Sequence, residues 1–260
     1  MRYVRTLEGS KKYGQPIGSP IVPKPALNRL PGARRMSHDE GRDFGDEHWA
    51  TDDLDLDSDE REAVERYTGP EYVQINGYLR TGEVEIPDYI LDQVHYDPET
   101  DEELDYDQIV EKFQPEFEDE MDDLVRNIQS AIDSAPPVPE DIVVSRWVGA
   151  DAFPEEFRAA VEAGGPVEGA TFQEPGFTST SIDSEHLNFN TAAEYLVLIE
   201  VPEGTPALYV SQSEDPLGIT SNELLFGQDT AWTVNSVAPM PDYPGRYVIE
   251  AVMTSDVTAA

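Results

Sequence analysis

Three prolines, Pro136, Pro137 and Pro139, divide this chain into halves whose apolar residues follow different periods. Proline lacks the backbone N–H and fixes φ, so neither a helix nor a sheet ladder propagates through such a run. Before it the spacing is helical. Asp57 is placed to cap a segment whose first turn holds Asp59, Glu60 and Glu62, an arrangement the helix dipole favours, and Thr68-Gly69-Pro70 ends it. Tyr72, Ile75 and Leu79 then recur on one helical face up to Arg80. Further on, Met121, Leu124, Ile128 and Ile132 form the apolar stripe of a longer helix, with Glu118, Asp119, Asp122 and Asp123 turned outward. After the prolines the runs shorten. Strands are predicted at 142–145, 195–201, 207–210, 223–226, 231–237 and 246–253, with one helix at 154–163. Helices first and strands afterwards predict an α+β fold, in which an N-terminal helical lobe packs on two largely antiparallel β-sheets.

Charge adds a third region. Residues 1–42 hold nine of the 17 basic residues and only three acids, Glu8, Asp39 and Glu40, in a chain whose net charge is -37. Prolines 16, 20, 23, 25 and 31 punctuate this stretch, which reads as an extended basic arm. The expected organisation is therefore an arm over 1–42, a helical lobe over 43–135 and a β core over 136–260. Two readings of the arm stay open: a solvated tail, or a tether that orders on a larger assembly such as a virion or on an acidic surface, its own domain included. Such an excess of acid destabilises a compact state by self-repulsion unless salt screens it. Near molar salt the Debye length falls to about 3 Å, so the composition points to a halophilic source, with nucleic-acid mimicry as the alternative.

Several classes are excluded by absence. Without cysteine there is no disulfide, thiolate metal site or cysteine nucleophile. His38, His48, His95 and His186 are too scattered to predict a metal centre. Asp53, Asp55 and Asp57 imitate a calcium loop, but Ser58 stands where its turn needs glycine and Val64 where the bidentate Glu belongs; the stretch from Asp97 fails in the same way, at Glu102 and Gln108. No P-loop, HExxH or GxSxG is present. No run is long and apolar enough to span a membrane, and Met1 to Gly14 lacks the core of a secretory signal, so no membrane partner and a cytoplasmic location are expected.

The residues left to carry chemistry lie in the β half. Arg146 follows the apolar run Ile142-Val143-Val144, and its planar fork suits a phosphate, or else a buried ion pair. Gly176-Phe177-Thr178-Ser179-Thr180-Ser181 places Ser179 and Ser181 on one face of a strand and Thr180 on the other. Glu223 opens the apolar run Leu224-Leu225-Phe226, where a carboxylate needs partners that Arg146 or Ser179 could supply.

In this order, separated by 33 and 44 residues, Arg146, Ser179-Thr180-Ser181 and Glu223 resemble the Arg, Ser-Thr-Ser, Glu signature of the ADP-ribosyltransferase superfamily, in the branch of exotoxin-like and phage-borne enzymes. Tyr67-Thr68, Tyr72, Ile75-Asn76 and Leu79-Arg80 are similar to the helical lobe of the same family, so the likeness covers roughly residues 57–253. It implies an NAD-binding cleft in the β core and a protein ADP-ribosyltransferase that cleaves NAD⁺, its substrate, at the nicotinamide–ribose bond without a metal. It also implies roles: Glu223 stabilises the oxocarbenium-like transition state, Ser179 orients Glu223, and Arg146 grips the phosphates. Thr180 and Ser181 hold the pocket strands, the backbone of Trp147 to Gly149 receives the nicotinamide amide, and Phe189 covers it. One position departs from the pattern. Two residues before the catalytic glutamate the family carries Glu or Gln to receive the target, and this chain has Ser221, with Glu214 and Asp215 nearby as substitutes. Serine is a poor general base at neutral pH. Transfer to a protein acceptor of unknown identity is therefore set against two alternatives, NAD⁺ hydrolysis alone and a virion component with a vestigial pocket.

Overall fold

The computed structural model describes residues 30–49, 54–84, 104–184, 193–211, 222–240 and 243–254. The chain divides into two compact units, Leu56–Ala131 and a discontinuous one formed by Met1–Asp55 with Ile132–Ala260.

The first of these units is helical. Its helix α2, Ser58–Thr68, starts where expected: the Asp57 carboxylate accepts the N–H groups of Asp59 and Glu60, both at 2.9 Å, while Glu60 accepts the N–H of Asp57 at 2.9 Å. This reciprocal cap satisfies donors that a helix start otherwise leaves unpaired. Helix α3, Tyr72–Thr81, buries Ile75 and Asn76, whereas Tyr72, expected on the buried face, is 51% exposed. Tyr72 is the first residue of the helix, one turn before the covered Ile75 and Asn76, where Asn76 donates to the Tyr67 hydroxyl at 3.0 Å. Helix α4, Tyr106–Ser134, runs through Pro115 and buries Ile109, Met121, Leu124 and Ile128, leaving Asp119, Asp122 and Asp123 exposed. Arg66 ties the helices by donating to two carboxylates, Glu71 at 2.6 Å and Glu120 at 2.7 Å.

The other unit holds the strands: β1 Ile142–Val148, β2 Thr171–Glu174, β3 Thr178–Ser181, β4 Tyr195–Val201, β5 Leu208–Ser211, β6 Asn222–Phe226, β7 Thr230–Pro239 and β8 Tyr247–Thr254. They form an eight-stranded sheet in the order β2-β7-β8-β4-β1-β3-β6-β5, antiparallel except between β4 and β8. The two expected sheets survive as two ladders, β2-β7-β8-β4-β1 and β3-β6-β5, which join through one residue pair, Ser145 with Ser181. Strand β4 is apolar on both faces because it lies between β8 and β1 and is covered on each side. A short 3₁₀ turn, Ala150–Ala152, and helix α5, Glu155–Glu162, follow β1 and bring Phe153 and Phe157 into an aromatic cluster with Phe172, its ring centroids 5.1 and 4.9 Å away.

One element lies across the boundary drawn at residue 42. Helix α1, His38–His48, belongs with the strands, and the residues before it are already seated: Arg34 donates its N–H to Asp141 at 2.8 Å and accepts that of Val143 at 2.9 Å, beside the start of β1.

Candidate active site

Strands β1 and β3 pair only at Ser145 and Ser181, so beyond that pair they part, with Arg146 and Trp147 on one arm and Thr180 and Ser179 on the other. Strand β6 continues the β3 side, with Glu223 opposite Ser181 and Leu225 opposite Ser179. Residues two apart on one strand share a face, so Ser179, Ser181 and Glu223 lie on one face of this ladder. Their neighbours lie on the other: Thr178 and Thr180 are buried and Ser179 and Ser181 half-buried. The Thr180 hydroxyl donates to the Leu224 carbonyl at 2.9 Å and pins β3 to β6 beneath the site.

The three residues of the motif converge electrostatically. Burial pushes the Glu223 carboxyl above the ordinary glutamate range, and two neighbours oppose that shift: a hydrogen bond from Ser179 and the positive charge of Arg146. Loss of hydration disfavours the charged form, while a donor and a cation favour it, so the site holds a carboxylate that ionises with help. Arg146 also faces the Glu174 carboxylate at 3.6 Å, and Glu174 accepts the Gly176 N–H at 3.2 Å through its other oxygen. Glu174 thereby links the arginine to the turn that leads into the hydroxyl strand. Sequence reasoning passed it over because one more acid among 54 carries no signal, although its place just before Pro175-Gly176 could have marked it.

The Trp147 side chain packs against the cluster of Val143, Leu196, Leu198 and Met240, with the Arg246 guanidinium 5.9 Å from its ring. What it can offer a ligand is backbone. The chain after it is held by Glu194, which accepts the Ala150 N–H at 2.9 Å, and at Gly149 any Cβ would meet the Asp151 carboxylate at 2.7 Å. Phe189, Ser221, Glu214 and Asp215 lie outside the described residues, as do His95, His186, Asp53 and the stretch from Asp97 up to residue 103. Of the other histidines, His38 pairs with Asp183 at 3.1 Å and His48 packs edge-on against Phe44. Among the described residues no group of three or more His, Cys, Asp or Glu side chains is arranged to hold a metal ion. No described helix is long and apolar enough to cross a membrane.

A parted pair of strands bearing a guanidinium and a hydroxyl, with a shielded carboxylate on the next strand, can bind an anionic substrate and stabilise a developing cation beside it. Comparison with solved structures gives the fold a context. Plx2a, an ADP-ribosyltransferase toxin from Paenibacillus larvae, superimposes with a TM-score of 0.59 at 19% identity, over 85% of this chain and 98% of its own. The Clostridium limosum C3 exoenzyme gives 0.57 at 18% identity, over 86% and 98%. C3stau2 from S. aureus, solved with NAD, gives 0.58 at 18% identity, over 86% and 99%. No curated protein sequence matches the chain. The family model described as ADP-ribosyltransferase exoenzyme matches residues 41–256, which takes in every strand and all but the first three residues of α1. On that match the chain belongs to the ADP-ribosyltransferase exoenzyme family, enzymes whose substrate is NAD⁺.

Proposed function

We propose that the chain transfers a single ADP-ribose from NAD⁺ to a protein side chain, and that the chemistry takes place where β1 and β3 part. The observation that carries this reading is the hydrogen bond from Ser179 to a half-buried Glu223 that also feels the charge of Arg146. Breaking the bond between nicotinamide and ribose sends the bonding electrons to the leaving nicotinamide and leaves the ribose oxocarbenium-like. Glu223 is the anion that stabilises that charge, Ser179 holds its carboxylate in place, and Arg146 fixes the dinucleotide by its phosphates. Binding NAD⁺ asks Arg146 to exchange or share Glu174 for phosphate. Thr180 and Ser181 maintain the strands around the opening, and the backbone from Trp147 to Gly149 takes the nicotinamide amide.

The toxin-like relatives support a protein acceptor, and Ser221 with Glu214 and Asp215 is the place to receive it. Ser221 equally supports hydrolysis without transfer, because its hydroxyl does not activate an acceptor at neutral pH as a carboxylate does. The net charge of -37 supports a high-salt setting for the reaction, in a halophile or a virus that infects one. In high salt, Glu223→Gln should lower nicotinamide release by about 10²–10³-fold, the scale of losing one transition-state charge contact. Equal rates in the two proteins would remove Glu223 from the mechanism. Labelled NAD⁺ added with a cell lysate then separates the outcomes: a labelled protein supports transfer, and release without label supports hydrolysis.

A further inference from the structure

The residues 34–49 touch β1, β6 and the residues just past β3, and at β6 they do so from the face opposite Glu223. Arg34 bridges to Ile142 at the start of β1. Met36 exchanges hydrogen bonds with Ser184, just past β3, at 3.2 and 3.0 Å. On β6 the contact is with Asn222, whose side chain points away from that of Glu223 because adjacent strand residues alternate in direction. Asn222 is 1% exposed; its Nδ2 donates to the His38 carbonyl at 2.8 Å and lies 3.2 Å from His38 Nδ1, and its Oδ1 accepts from the Tyr209 hydroxyl at 3.4 Å. The same His38 Nδ1 lies 3.1 Å from a carboxylate oxygen of Asp183, an aspartate only 2% exposed whose backbone carbonyl accepts the Ser145 hydroxyl at 2.8 Å. Asp183, Ser145 and Ser181 thus connect to His38 at the junction of the two ladders. The helix backbone runs close to these residues at Gly41, where a Cβ would make ordinary contact, 3.4 Å from the Asp183 nitrogen and 3.5 Å from Asn222 Nδ2.

We propose that Asn222 is a positioning residue for the reaction: anchored to His38 on the reverse face of β6, it sets where the adjacent Glu223 stands, which makes Arg34–Trp49 part of the active-site machinery. The proposal rests on the assignment of Glu223 made above. A buried amide with partners on both of its polar atoms defines its strand position in a way an apolar residue of similar volume does not, because each lost bond leaves a desolvated group behind. Small displacements of a catalytic group cost rate out of proportion to their size.

The test is steady-state nicotinamide release by the full-length chain in high salt, comparing wild type, Asn222→Ala and Glu223→Gln, with the thermal midpoint measured for each. Asn222→Ala is expected to lower kcat about 10–100-fold with KM for NAD⁺ unchanged, because the phosphate-binding Arg146 lies on another strand. A folded Asn222→Ala with wild-type kcat, or with the loss confined to KM, overturns the proposal. If Asn222→Ala fails to fold, the near-isosteric Asn222→Leu, which removes both polar atoms without leaving a cavity, is read by the same criteria; failure of both to fold assigns Asn222 a purely structural role and overturns the proposal too. Glu223→Gln separates the two levels. Normal release by Glu223→Gln defeats the site assignment and this proposal together, whereas its loss beside an unaffected Asn222→Ala defeats the proposal alone.

Discussion

Helices α1 and α2 have eleven residues each and start alike, with Ser37 or Asp57 followed three residues later by a glutamate that accepts the N–H of the first. They are specified differently. Helix α2 contains no glycine, carries Asp59 and Glu60 in its first turn and Arg66 in its last, and needs little beyond its own sequence to be helical. Helix α1 contains Gly41 and Gly45, each unfavourable by about 1 kcal/mol relative to alanine in a helix interior. It retains them because strands lie against its backbone. At Gly45 a Cβ would come within 2.3 to 2.7 Å of the Tyr209 ring, which is 1% exposed and has no room to move aside. One helix is thus a local structure, and the other is a consequence of the strands it covers.

The largest test of that contrast is Gly45→Ala. Intrinsic propensity alone makes it stabilising, whereas the contact with Tyr209 makes it an overpacked core substitution that costs about 1–3 kcal/mol. Chemical denaturation in high salt, with nicotinamide release measured alongside, decides the sign. A stabilised Gly45→Ala protein would mean that α1 does not press on β5 as described.

The same contrast explains what the sequence could and could not disclose. Asp57, the Thr68-Gly69-Pro70 stop and the limits of β4 are legible because the residues that decide them lie within one turn or one strand of each other. The alternation that separates Ser179 and Ser181 from Thr180 is legible for the same reason. Helix α1 is not, since its partners Asp183 and Asn222 stand 145 and 184 residues away and its glycines argue against a helix until those partners are seen. The capping pattern from Ser37 to Glu40 was its one local signal, and it lies in a segment whose prolines suggest an extended arm. Glu174 is hidden for a compositional reason, and Tyr72 is misplaced because a periodic pattern treats its tyrosine as core although it stands at the very start of its helix, 51% exposed.

A smaller effect is expected from Asp57→Ala. Losing a cap that accepts two N–H groups costs about 1 kcal/mol of stability, and α2 should feel it whatever happens around Glu223. Thermal denaturation reads the loss, and the kcat of the folded protein should stay at the wild-type value. A kcat loss like that expected of Asn222→Ala would show that α2 is no more independent of the chemistry than α1 is, and the distinction between the two helices would fail.

The smallest effect separates α1 from the site it supports by their response to acid. Glu40, at the start of α1, has its carboxyl held below the ordinary glutamate range, first by the Ser37 N–H and then by the Ser37 hydroxyl, whereas burial holds Glu223 above it. The two linkages therefore run in opposite directions. Glu40 contributes stability that is present above the ordinary glutamate pKa and lost only as pH falls through its lowered value. Neutral Glu223 contributes stability that is fully present below the ordinary pKa and lost as pH rises through its raised value, yet its role in catalysis requires the charge. On acidification, nicotinamide release should fall first, while the cap of α1 is still ionised and the thermal midpoint has not yet responded to Glu40. Ser179→Ala removes a donor that favours the charged form, so it should move the acidic limb of kcat/KM to still higher pH. An acidic limb at the ordinary glutamate position, or one that Ser179→Ala moves downward, would show that Glu223 is neither as buried nor as dependent on Ser179 as its place on β6 requires.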